Sequence, residues 1–343
     1  MVPGFITIRS VASLAKRTKF SMETPEEVFI FDVIIIGGGI AAHTAALYTA
    51  RADLNPLVIA GYEPDQLSLT TIVENFPGFP NGVDGPQLVL NSKKQAEKFG
   101  AKYLQENADS FEFNKKENNF EIEAGGKTYI SRTIIIATGA SARKLGIPGE
   151  DKFFGRGVST CAVCDAALYK GKTTIVVGGG DSAMEETLAL YKFAKKVYLI
   201  HRRDEFKASK IMQDRILSLN KKNDKVEIIW DTEIVEVLGD KSVSAIKIKN
   251  LKTNKISEIK TDGFFLAIGH TPNTSIFKGK IKLDKEGYII TDKLSKTNLS
   301  GVYAAGDVQD PIFRQAVTSA GAGCQAAMQA ERYIEHLKAE GKY

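Results

Sequence analysis

The chain has 343 residues, 43% apolar and 25% charged, which suits about two globular domains with sizeable cores. That composition excludes disorder as the dominant state, and three cysteines exclude a disulfide-built secreted scaffold. No apolar stretch approaches the roughly 20 residues of a membrane span, and the net charge of +5 is mild and unevenly placed.

Residues 1–22 carry Arg9, Lys16, Arg17 and Lys19 and no acid. Removing those four leaves 42 basic side chains against 41 acidic, so the remaining body is near neutral and has no nucleic-acid signature. Apolar Phe5, Ile6, Ile8, Val11 and Leu14 are mixed with Ser and basic residues, a transit-peptide-like composition without the apolar core of a secretory signal. The plainer readings are a flexible N-terminal arm over residues 1–23, or translation that begins at Met22.

Phe31–Ile36 is a β-branched apolar run leading into Gly37-Gly-Gly-Ile-Ala-Ala42 and an Ala-rich stretch to Ala50. This reads as buried strand, glycine turn and helix. The same grammar recurs at Thr174–Val177, Gly178-Gly-Gly-Asp-Ser-Ala183 and a helix through Tyr191, with Gly37 and Gly178 141 residues apart. Gly37 and Gly178 allow the tight turn, Gly39 and Gly180 let a pyrophosphate approach the backbone, and Ala42 and Ala183 let helix pack on strand. Phosphates would then sit at the helix N-terminus. One such turn is weak evidence; two in strand–turn–helix context predict two dinucleotide sites, against the plain alternative of two cofactor-free α/β units.

Pro56–Ala60 is the strand after the first copy, and Glu63 beyond it could take a ribose hydroxyl. Ile134–Gly139 is a buried strand ending in a tight turn, echoed by Phe264–Gly269 after the second copy. Between the two copies lies Cys161-Ala-Val-Cys164, followed by Asp165. A structural zinc needs about four ligands, no second CxxC exists, and the four histidines do not cluster, so no metal is expected. Redox exchange by thiolate attack is the leading use, with Asp165 moving the proton or capping a helix. Cys324 sits in a Gly/Ala helix and reads as a small core residue.

The strand Lys196–Ile200 ends in His201-Arg202-Arg203, with Lys207 beyond. Arginines there suit the 2′-phosphate of NADPH rather than the 2′-hydroxyl of NAD; the alternative is a solvated basic surface. Gly301–Asp307 is a strand with an acid at its end, before a small-residue helix from about Arg314. That acid could hold a ribityl or ribose hydroxyl, which makes FAD the partner of the first turn.

Together these motifs resemble those of the low-molecular-weight thioredoxin reductases, FAD- and NADPH-dependent pyridine nucleotide-disulfide oxidoreductases. The likeness runs from about Phe31 to Glu335. It is carried by Val73–Gly78, Ile136–Arg143, Gly155–Asp165, Gly178–Glu186, His201–Phe206, Ala267–Asn273, Ala305–Asp307 and Arg314–Ala316. The cysteine position is the most specific element, since the larger glutathione-reductase-type enzymes carry the pair in the FAD domain.

The resemblance implies an α/β protein of two Rossmann-like, three-layer ββα domains, the NADPH domain inserted into the FAD domain. The FAD domain would be residues 24–143 with 270–343, and the NADPH domain 144–269. FAD would be held by Gly37, Gly39, Ile40, Ala41, Ala42, Glu63, Gln66, Leu67, Asn75, Thr138, Gly139, Gly306, Asp307, Arg314, Gln315 and Ala316. NADPH would be held by Gly178, Gly180, Asp181, Ser182, Ala183, His201, Arg202, Arg203, Lys207 and Gly269. NADPH would reduce FAD, FADH⁻ the Cys161–Cys164 disulfide, and the dithiol thioredoxin. Cys164 would lie nearer the flavin, Cys161 would attack thioredoxin, Asp165 would be the acid/base, and Arg156 would face thioredoxin. The domains would rotate about linkers near Ala142 and His270. The resemblance also implies a homodimer, in the cytoplasm or, if residues 1–22 are a transit peptide, an organelle. A dithiol oxidase and a non-turnover redox sensor are the rival readings.

Six positions depart from the family pattern. Pro64-Asp65 precede Gln66-Leu67 where two glycines are usual, and Ser68-Leu69 follow where a threonine run is favoured. Ala166 replaces a glycine, and Lys207 an arginine.

Overall fold

The computed structural model describes residues 29–70, 72–222 and 224–343. The expected N-terminal arm lies outside them.

The apolar run Phe29–Ile36 is the central strand of a seven-stranded sheet. It pairs in parallel with Pro56–Ile59 on one side and Lys127–Ile136 on the other. Lys102–Leu104 extends one edge, again in parallel. Lys127–Ile136 changes partner along its length. Its first half closes an antiparallel ribbon with Asn119–Ala124 and Ala108–Asn114, and its end pairs in parallel with Val302–Ala304. At the handover the buried Thr133 hydroxyl donates to Gly301 O at 2.6 Å, so the polar group there is satisfied.

Helices Ile40–Arg51 and Ala316–Ala339 cover one face of this sheet. Alanines 41, 42, 45 and 46 meet alanines 326, 327 and 330 in a buried layer. This accounts for the alanine-rich sequence, because the first helix is enclosed by sheet on one side and helix on the other. The approach is close enough that a Cβ on Gly323 would lie 2.2 Å from Ala41 O. Phe111, Phe120 and Phe277 fill the other face beneath the antiparallel ribbon.

The second unit repeats the plan. Val158–Ser159, Gly263–Leu266, Thr173–Val177, Lys196–Ile200 and Val226–Ile229 form a five-stranded parallel sheet in that spatial order. Helices Asp181–Phe193 and Lys210–Lys222 cover one face, and the antiparallel sheet of Thr232–Gly239, Val243–Asn250 and Ile256–Lys260 covers the other. Each unit is therefore helix, parallel sheet and antiparallel sheet: a Rossmann-like core in three layers.

The chain passes between the units twice, at one place. Ala140–Ala142 pairs antiparallel with His270–Pro272, forming a two-stranded ribbon. No helix among the described residues is long and apolar enough to cross a membrane.

Candidate active site

The two glycine turns coincide atom for atom in their supports. Gly37 N donates to Ile59 O and Gly178 N to Ile200 O, each the end of the next strand. A Cβ on Gly37 would lie 2.1 Å from Ala137 O, and one on Gly178 2.2 Å from Ala267 O. With φ of +132° and +155°, neither position suits an L side chain. Helices Ile40–Arg51 and Asp181–Phe193 are preceded by Gly39 and Gly180, and no side chain caps either. Each helix thus opens at a glycine whose own side chain cannot cap it, the arrangement that suits an anionic phosphate.

Around the first turn lies a cavity of about 970 Å³. Fifteen of the sixteen residues expected around FAD line it; Ala42 does not, being wholly buried under the helix. Asp307 reaches the cavity from the end of strand Val302–Ala304, and Ser319 Oγ donates to its Oδ1 at 2.9 Å. Burial pushes the Asp307 carboxyl above its ordinary range. Asn75 Nδ2 donates to Gln315 Oε1 at 3.2 Å across the cavity mouth.

The departure at Pro64-Asp65 has a local explanation. The Asp65 carboxylate accepts from Leu67 N at 2.9 Å and Ser68 N at 3.3 Å, and also from the Ser68 hydroxyl. An Asx turn therefore shapes this loop where glycines would otherwise give the freedom. Ala166 is buried in the second unit's core.

Cys161 and Cys164 are joined in a disulfide, and both line this same cavity. Cys161 precedes the short helix Ala162–Asp165; its Sγ accepts from Cys164 N at 3.2 Å, and its own N–H donates to Ser159 Oγ at 3.1 Å. Cys164 is the more exposed of the two. Burial pushes the Asp165 carboxyl up, opposed by a hydrogen bond from Ser159. Cys324 is half-buried on helix Ala316–Ala339 and unpaired.

The second turn faces elsewhere. Of the ten residues expected around NADPH, only Ser182 lines the cavity. The segment after Lys196–Ile200 wraps its own turn instead: Lys207 N and Ala208 N donate to Gly179 O, and Ser209 donates from both N and Oγ to Asp181 Oδ1. Those bonds hold the Asp181 carboxyl below its ordinary range. Arg202, Arg203 and Lys207 are exposed beside this turn. His201 is different: it is 8% exposed, packs on Phe206 and Trp230, and its ring stands 2.2 Å from where a Gly179 Cβ would be. It braces the turn from beneath. Arg156 is exposed outside the cavity and donates to Lys152 O at 2.6 Å.

Sequence reasoning missed several cavity residues. Asn273 directly follows the ribbon strand His270–Pro272, and it exchanges hydrogen bonds with Thr138: its Nδ2 donates to Thr138 O at 2.9 Å, and Thr138 Oγ1 donates to its backbone O at 2.7 Å. His270 Nδ1 accepts from Arg314 at 2.8 Å; burial, helped by Arg314 and Arg143, pushes that imidazole down to about 4. Ser319 and Glu186 also line the cavity. Nothing local distinguishes any of these, since each is recruited by the meeting of distant segments. Among the described residues no group of three or more His, Cys, Asp or Glu could hold a metal.

The family model of the pyridine nucleotide-disulphide oxidoreductases matches residues 31–323. The chain is 46% identical to the thioredoxin reductase of Streptomyces coelicolor over 314 residues, 91% of this chain and 96% of that protein. The solved thioredoxin reductase of Giardia duodenalis superposes with a TM-score of 0.83 at 41% identity, covering 90% of this chain and 99% of that one. The Lactococcus lactis thioredoxin reductase, solved in its FR conformation, gives 0.61 at 38% identity, covering 90% of this chain and 100% of that one. With its paired glycine turns and its disulfide ahead of the second, the chain belongs to the pyridine nucleotide-disulphide oxidoreductases, and within them to the thioredoxin reductases.

Proposed function

We propose that the chain carries electrons from NADPH through FAD to its own disulfide, and from the resulting dithiol to thioredoxin. The observation that carries this reading is that the Cys161–Cys164 disulfide shares one cavity with the first glycine turn.

The residues fit the cofactors. When bound, FAD converts a hydride from NADPH into an electron pair that a disulfide can accept. Gly37, Gly39 and the N–H groups opening helix Ile40–Arg51 would hold its pyrophosphate; Asp307, fixed by Ser319, would hold a ribityl hydroxyl; Glu63 would take the adenosine ribose. Gly178, Gly180 and the start of helix Asp181–Phe193 would hold the pyrophosphate of NADPH, with Arg202, Arg203 and Lys207 on the 2′-phosphate. Cys164, the more exposed sulfur, would face the flavin, and Cys161 would attack thioredoxin beside Arg156. Asp165, its carboxyl raised by burial, would hand protons to the cysteines.

The domain division follows: residues 24–143 with 270–343 bind FAD, and 144–269 bind NADPH. Because Arg202 and Arg203 open outside the cavity, the disulfide and the nicotinamide must take turns at the flavin, and the paired linkers serve as the hinge. The fall in TM-score from 0.83 to 0.61 between relatives of similar identity and coverage supports two arrangements of the units. The reaction suits a homodimer in a thiol-reducing compartment such as the cytoplasm.

A visible spectrum under anaerobic conditions tests this. NADPH should bleach the flavin bands, and a thioredoxin-coupled assay should show turnover. Cys161→Ser and Cys164→Ser should each lose that turnover while keeping the flavin spectrum. Full turnover in either variant overturns the reading. Flavin that NADPH leaves oxidised but that a dithiol reduces, with oxygen as the acceptor, would favour a dithiol oxidase, and negligible NADPH consumption with thioredoxin a sensor.

A further inference from the structure

Helix Asp181–Phe193 presents two adjacent glutamates to the disulfide cavity. Glu185 is exposed. Glu186 is only 9% exposed, and its Oε2 is buried without any hydrogen-bond partner. A carboxylate in that position would carry a heavy desolvation cost, whereas a protonated carboxyl would not. The charged groups facing it are Arg314, from the other unit, and the two acids Asp165 and Glu185. Burial is the largest influence; with the two acids it outweighs Arg314 and pushes the Glu186 carboxyl up to about 8. The short helix bearing Cys164 and Asp165 packs directly on this helix, with Ala162, Ala183 and Met184 in one buried cluster.

The chemistry at the disulfide leaves a proton to be found. An electron pair entering the Cys161–Cys164 bond breaks it and leaves two sulfurs needing two protons to become a dithiol. One proton accompanies the electron pair from reduced FAD. The other must come from a group held close to the opened sulfurs.

We propose that Glu186 stores this second proton: Asp165 passes a proton to the opened sulfur and takes one from Glu186 in return. Glu186 then refills from water at the cavity mouth. It acts through Asp165 and is a positioning residue for the proton, not one that touches sulfur. The proposal rests on the electron route given above.

Two measurements test it. The first is infrared spectroscopy of the oxidised protein near pH 7. A protonated-carboxyl band should be present, should be absent in Glu186→Gln, and should shift toward carboxylate when the wild type is titrated through about pH 8. The second is the pre-steady-state rate of electron transfer from reduced flavin to the disulfide. In the wild type that rate should fall as pH rises through about 8. In Glu186→Gln it should be roughly tenfold slower near neutrality, below the loss expected for an acid in direct contact, and that alkaline limb should vanish. Glu186→Asp should restore the limb. An unchanged rate and limb in Glu186→Gln, or the absence of a band attributable to Glu186, overturns the proposal. If NADPH fails to reduce the wild-type disulfide at all, the electron route itself is wrong. The infrared result still reports on Glu186 independently.

Discussion

The two nucleotide-binding units share a turn but not its surroundings. Both anchor their first glycine on the next strand, and both bring a carbonyl, Ala137 O or Ala267 O, to where a Cβ would stand. Yet the first turn opens into a cavity that gathers the disulfide, Asp307 and the return ribbon, while the second is wrapped by its own following segment and flanked by exposed arginines. The lesson is that the turn fixes only its own backbone and the start of the helix behind it. What stands around each turn is decided by other segments, several of them far away in sequence.

Breaking one turn at a time should separate the two roles, with the largest effects. Gly37→Ala should remove bound flavin, read from the visible spectrum. Gly178→Ala should keep the flavin but weaken NADPH binding in a titration. Strain of about 1–3 kcal/mol alone sets a loss of roughly tenfold to a hundredfold in each, and the carbonyl clash adds to it. If Gly178→Ala also loses flavin, the two sites are not independent.

An effect of similar or smaller size, without the added carbonyl clash, should come from the arginines. Arg202→Ala and Arg203→Ala should each raise the KM for NADPH by roughly tenfold to a hundredfold, at about 1.5–3 kcal/mol per charge-assisted bond and toward the lower end because both are exposed, and barely alter that for NADH. An unchanged preference would remove the 2′-phosphate assignment. The flavin spectrum should not move, because these side chains lie outside the cavity.

The remaining effect is on stability, and its pH dependence has opposite signs for the histidines and for Glu186. Burial holds His43 and His270 down to about 4 from an ordinary 6.5, so their contribution is present above 6.5 and lost as pH falls toward 4. Glu186 is raised from 4.5 to about 8, so its contribution is present below 4.5 and lost as pH rises through 8. Stability measured by denaturant should therefore decline on both sides of a mildly acidic to neutral optimum. Glu186→Gln should flatten the decline above 6.5 and steepen the acid side between 4.5 and 6.5, where its contribution opposes that of the histidines.

Much of this was legible in the sequence, because the repeat at Gly37 and Gly178 is a local pattern obeying local sterics. The disulfide was legible as a CxxC placed between two strand–turn–helix units. The cavity's remaining walls were less so. Asn273 and Thr138 are 135 residues apart and meet only because the two linkers pair. Glu186 follows Glu185 in what reads as an ordinary acidic helix face, and only packing against the cysteine-bearing helix distinguishes them. His201, expected beside the nucleotide, lies buried against the turn; an imidazole next to two arginines gives no local sign of which way it faces. The Asp65 turn shows one residue's side chain replacing the backbone freedom of glycine, a substitution visible only once its hydrogen bonds are.

The paired linkers also bear on how the chain assembles. Arg143 N donates to Gly269 O at 3.0 Å, so the intervening stretch begins and ends at the same point. Everything its parallel sheet needs lies within that stretch. The outer unit is less self-sufficient, because Lys127–Ile136 waits for Val302–Ala304, and helix Ile40–Arg51 for Ala316–Ala339. During synthesis the middle of the protein can therefore close first, as a finished bead on the ribosome. The cradle around the first glycine turn closes last, when the C-terminal helix emerges to seal it.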